Sequence, residues 1–164
     1  MNPWRVLLFV YDGTPHPGAP APREDGFRLV GFALPNDRFS GVGIARGWKP
    51  TPAQTAGVLA HELAHVRLNE VDGSVRTEPD FEALTDLTAL YLGGGVLLAN
   101  LAATTKQPAD YLDPAALGYA LSWPARESGE HDPAWLADLE AVPRTAFRRG
   151  AAYLEAGRRT DHTQ

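Results

Sequence analysis

Between Thr51 and Asn69 the chain spells a helix with almost no polar face, and two histidines and a glutamate stand in the middle of it. Thr51 is placed to act as N-cap, Pro52 to occupy the first helical position, and Gln54 to complete a capping box. Val58, Leu59, Leu63, Ala64, Val66 and Leu68 leave little surface for water, so this helix reads as largely buried. Polar groups carried into a buried helix need partners. The rest of the chain must therefore pack around this helix and supply something for His61, Glu62 and His65 to bind.

The spacing says what that could be. Positions i and i+4 lie on one helix face, about one turn apart, so the two imidazoles can reach a single metal ion. Glu62 is offset by one residue and stands beside the ion without ligating it. From there a carboxylate can take a proton from a water that the metal has acidified, the arrangement that suits hydrolysis. The competing reading is a surface helix with two incidental histidines, and the apolar flanks weigh against it. The chain has no cysteine, which excludes disulfides, iron–sulfur clusters and thiolate zinc sites. Zinc would have to be held by His, Asp, Glu or water, a ligand set that leans toward catalytic sites.

A second pair of polar residues sits in another apolar stretch, in Glu82-Ala83-Leu84-Thr85-Asp86. Glu82 and Asp86 are again four apart. One carboxylate can complete a His-His-carboxylate set and leave a fourth position open. The other can accept the ring N–H of a ligating histidine and fix its tautomer. The alternative is a carboxylate favoured by the positive end of a helix, which suits Glu82 in a first turn but suits Asp86 poorly.

HELAH followed by ExxTD resembles the gluzincin metallopeptidases, in which HExxH is followed on a second helix by a Glu ligand and an Asp four residues later. The resemblance covers about residues 27–100. It implies Glu82 as third zinc ligand and Asp86 as the partner of a histidine, namely His61. It also implies a minimal zincin-like fold: a small sheet over the zinc helix, whose edge strand binds an extended peptide. The run LTDLTALYLGGGVLLAN, Leu84 to Asn100, is similar to small bacterial zincin-like proteins as well. The chain is much shorter than large gluzincins, and its pattern does not single out the His or Tyr that steadies the oxyanion in them. His131, in the loop SGEHDP, is one candidate; Tyr91, Tyr111 and Tyr119 are others.

The wider pattern fits an α+β fold in a single domain over 1–164, with strands at about 4–46 and helices at about 51–156. Residues 4–11, 27–34 and 39–46 read as strands, and the turn chemistry of Pro35, Asn36 and Asp37 joins the last two into a hairpin. The resulting small antiparallel or mixed sheet should pack on the HExxH helix. Residues 12–26 are dense in Pro and Gly and read as a long loop that could fold over the cleft. A helix from Thr77 and Pro79 should run to about Ala102, with Gly93-Gly94-Gly95 there for close packing or a bulge. Asp113-Pro114 should open the next, to about Trp123. Pro133 opens a region to Ala156 that Pro143 should kink or split.

The net charge of −5 argues against nucleic-acid binding. Val6–Val10 reads as a strand and not a signal peptide, and polar residues and glycines interrupt the apolar run near 84–103, so no membrane span is expected and the cytoplasm is the default. These observations make a zinc-dependent hydrolase acting on a peptide or protein the leading expectation. A zincin-fold regulatory or binding module with little or no proteolytic activity is the rival, and a hydrolase for other substrates stays open.

Overall fold

The structure, a computed structural model, describes residues 6–11, 31–35, 40–45, 49–71, 80–106 and 110–161. Three short strands come first: β1 (Val6–Tyr11), β2 (Gly31–Pro35) and β3 (Ser40–Ala45). The hairpin expected from the turn residues is present, with β2 antiparallel to β3 from Gly31↔Ile44 to Pro35↔Ser40. β1 lies on the other side of β3 and runs parallel to it, Val6↔Ser40 through Tyr11↔Ala45. The sheet is thus mixed, in the order β1-β3-β2, and a purely antiparallel sheet is ruled out. The reason is connectivity: β1 and β3 are separated by β2 and a long connection, and only such a crossover lets two strands pair in parallel. The stretch 12–26 lies outside the described residues.

The capping residues start α1 (Pro52–Val71) as the sequence implied. The Thr51 N–H donates to Gln54 Oε1 at 3.0 Å, and the Gln54 N–H donates to Thr51 Oγ1 at 3.2 Å. α1 packs against β2 and β3 and against the helices that follow. Its burial is less complete than the apolar pattern suggested. Val58, His61, Glu62, Ala64 and Val66 are buried, whereas Leu63 is 44% exposed. A helix flanked by a sheet and by other helices still has an outer edge, and Leu63 occupies it.

The second apolar stretch is not one regular helix. α2 (Phe81–Ala89) passes through a π-helical turn at Leu90–Gly94 into α3 (Gly95–Thr104). The chain bends at Gly93, whose φ of 93° is one that residues with a side chain rarely adopt. Its neighbour Gly94 serves packing instead: a Cβ there would stand 2.9 Å from the Cβ of Ala60 on α1. The triplet therefore does both things its sequence allowed, a bulge and a close approach. Counted together, Phe81–Thr104 is 24 residues long and apolar enough to cross a membrane by length and composition, which the polar interruptions had argued against. Its regularity breaks at Gly93, however, and its first turns hold Glu82 and Asp86 against α1. The proposed start at Thr77 and Pro79 lies outside the described residues.

α4 (Pro114–Glu127) begins as expected: Asp113 caps it, accepting the Ala116 N–H at 2.7 Å, with Pro114 in the first turn. A 3-10 turn, Ala134–Asp138, precedes α5 (Ala141–Asp161). Pro143 does not split this last region. The break falls before α5, and Pro143 sits in its first turn, where a missing N–H breaks no helical hydrogen bond. Phe147 and Leu139, both fully buried, join Leu117 and Leu121 of α4 in the core, and Trp135 meets Phe147 edge-on.

Candidate metal centre

α1 and α2 cross so that the polar residues of each face those of the other. His61 and His65 approach with ring centroids 4.6 Å apart, nearly perpendicular. Between them comes a single oxygen of α2: Glu82 Oε2 lies 3.1 Å from His61 Nε2 and 3.2 Å from His65 Nε2. One ligand atom from each of the three residues falls within 4.8 Å of the others. Two ligands bound at about 2.0–2.1 Å in a tetrahedron stand about 3.3–3.4 Å apart; the two Glu82 contacts are close to that spacing and are hydrogen-bond distances as well, so the three residues could hold a small ion.

The outer nitrogens of both histidines are also engaged. His61 Nδ1 is 2.8 Å from Asp86 Oδ1. An ionised carboxylate can only accept, so Nδ1 carries hydrogen and Nε2 is left to face Glu82. The other Asp86 oxygen, Oδ2, accepts the Leu112 N–H at 2.8 Å. Asp86 is fully buried, and it holds the segment leading into α4 as well as the histidine. That segment carries Tyr111, whose ring stacks on His61 at 5.0 Å and 21°. His65 Nδ1 is 3.2 Å from Thr85 Oγ1, and the ring of Phe81 lies tilted against it at 5.0 Å.

The charges follow from this crowding. Burial disfavours the His61 imidazolium, but hydrogen bonds to Asp86 and Glu82, with the Glu62 and Asp86 charges, outweigh that and raise its pKa to about 10. Burial likewise raises Glu82, yet the two histidines it contacts reverse the direction and hold it well below the usual carboxylate range. Glu62 is raised to about 7, by burial first and by the Glu82 charge, against the opposing pull of His61. The Tyr111 phenol is pushed up by burial and then by Glu82, Glu62 and Asp86, so it stays protonated and able to donate.

No family model matches the chain, and no curated protein and no solved structure matches it either. Of the residues singled out in the sequence, His61, His65 and Glu82 converge, Asp86 backs His61, and Glu62 lies buried beside them. His131 is elsewhere: its side chain is 73% exposed and its Nδ1 is 2.9 Å from Glu155 Oε1 on α5. A solvated surface pair accounts for it, and it does not serve this site. Tyr91 is also at the surface, 87% exposed. Tyr111 is the tyrosine that reaches the cluster. Spacing could not select it, because a loop residue has no periodicity to read. Thr85 was legible in principle, since Glu82, Thr85 and Asp86 are i, i+3 and i+4 on one helix face.

Proposed function

We propose that the cluster is a zinc site and that the protein is a small zinc-dependent hydrolase, most simply a peptidase of gluzincin type on a minimal zincin-like fold. His61, His65 and Glu82 would hold the ion, and when bound it supplies Lewis acidity that acidifies water and polarises a carbonyl. The observation that carries the hydrolytic reading is Glu62. It is buried and adjacent to a ligand, and in the metal-free site burial raises its pKa to about 7, so the chain places beside the three converging residues a carboxyl that can take and return a proton. A site that only staples the fold has no use for such a group. Tyr111, whose ring stacks on His61 and whose phenol stays protonated, is the group we assign to a developing oxyanion. Peptide turnover by zinc-loaded protein, lost on chelation and restored by zinc, tests this reading; a zinc-loaded protein that cleaves nothing in a broad peptide library would leave the binding-module alternative in its place.

The same electrostatics make zinc uptake depend on pH. With its pKa near 10, His61 holds a proton at pH 7 that the ion must displace, while Glu82 is already ionised. Protons compete with metal below the histidine pKa, so affinity rises with pH. Between pH 6 and 8 the affinity should increase about tenfold per pH unit, with about one proton released, as read by titration calorimetry in buffers of different ionisation enthalpy. Affinity independent of pH over that range would show that His61 is not a ligand.

A further inference from the structure

Thr85 has no exposed surface, and its hydroxyl has two neighbours. It donates to the Phe81 carbonyl one turn earlier at 2.8 Å, the usual way a helical threonine satisfies itself. It also stands 3.2 Å from His65 Nδ1. A hydroxyl has one hydrogen. With that hydrogen on the Phe81 carbonyl, Thr85 Oγ1 meets His65 only as an acceptor, so the hydrogen between them belongs to Nδ1. Nε2 is then the nitrogen left facing Glu82, and it is the one whose lone pair an ion held there would take up. Phe81 supports the same arrangement twice, through its carbonyl and through the ring that lies against His65.

We propose that Thr85 is the positioning residue for His65: through the relay His65 Nδ1–H to Thr85 Oγ1–H to Phe81 carbonyl, it holds the imidazole in the tautomer and orientation that bind zinc. This rests on the zinc reading above and extends it. Asp86 does the same for His61 with a carboxylate, so consecutive residues of α2 each set one histidine of α1. The two supports differ in charge. A neutral hydroxyl leaves His65 less electron-rich than a carboxylate would, and it keeps a fourth carboxylate out of a site that already holds Glu62, Glu82 and Asp86. Neutral support is the choice that limits repulsion where several anions are buried together.

The test removes the hydroxyl and keeps the shape. Thr85→Val should lower zinc affinity about 10–100-fold in chelator competition, the range for lost support of a metal ligand. Thr85→Ser keeps the hydroxyl and should restore affinity to near the wild-type value. Proton–nitrogen spectra of the zinc-loaded protein labelled in histidine give an independent readout. The His65 Nδ1–H signal should persist in wild type and Thr85→Ser and be lost to solvent exchange in Thr85→Val. If Thr85→Val does not fold, Thr85→Ala removes the same group at the cost of a small cavity, with Thr85→Ser again the control. Wild-type affinity in Thr85→Val with the Nδ1–H signal intact overturns the proposal and leaves the zinc site standing. Equal loss in Thr85→Val and Thr85→Ser also overturns it, because packing and not the hydroxyl would then be responsible. Wild-type protein that takes up no zinc overturns the metal reading itself.

Discussion

Glu62→Gln is expected to lower turnover of any peptide the protein cleaves by about 10²–10⁴-fold while leaving its zinc content unchanged. Glutamine has the shape of glutamate and can still hydrogen-bond to water, but it cannot accept a proton. Glu62 is not among the three residues whose atoms converge, so the ion should be held as before. Folding should not suffer either. The wild-type carboxylate is buried with its pKa raised to about 7, which means the folded protein favours its protonated form. Such a group contributes stability below its unfolded pKa near 4.5, and that contribution fades as pH rises toward 7. A neutral amide avoids that loss, so metal-free Glu62→Gln should be at least as stable as wild type at pH 8. Chromatographic assay of cleaved peptides, with zinc measured in both proteins, checks the first part, and thermal unfolding checks the second. Equal cleavage by both proteins would mean a contaminant or a different base.

The second large effect separates two carboxylates four residues apart. Glu82→Ala should abolish zinc binding, because it removes the one oxygen within 3.2 Å of both Nε2 atoms. Asp86→Asn should keep the metal but weaken it about 10–100-fold. Asp86 accepts from two donors, His61 Nδ1–H through Oδ1 and Leu112 N–H through Oδ2. An asparagine has one oxygen, so one donor must face its amide N–H₂ and lose its partner. An unpaired buried donor costs about 1–3 kcal/mol, so Asp86→Asn should also unfold at lower temperature. If the orders were reversed, with Asp86→Asn losing zinc and Glu82→Ala keeping it, Asp86 and not Glu82 would be the carboxylate ligand, and the gluzincin comparison would misplace the site.

What the sequence made legible is the part with a period. HELAH and Glu82–Asp86 announce themselves because i and i+4 share a helix face, and the structure brings those faces together. The capping residues Thr51, Gln54 and Asp113 were readable because helix ends have local rules. The sheet was readable as strands and as one hairpin, but its parallel pair was not, since nothing local tells β1 which strand it will join. Gly93-Gly94-Gly95 signalled an irregularity without saying which glycine would bend and which would pack. His131 was misleading because a histidine in a polar loop has the composition of a catalytic residue and, here, the surroundings of a surface one. Tyr111 and Leu112 enter the site through tertiary packing alone. They are 25 or more residues from the groups they touch, and only the position of α4 brings them there.

The most direct measurement is zinc per chain, by elemental analysis after purification without chelators, in wild type and in His65→Ala. About one zinc per chain in wild type and none in His65→Ala is the result predicted here. A wild-type protein that carries no zinc and takes none up when it is supplied would contradict the account.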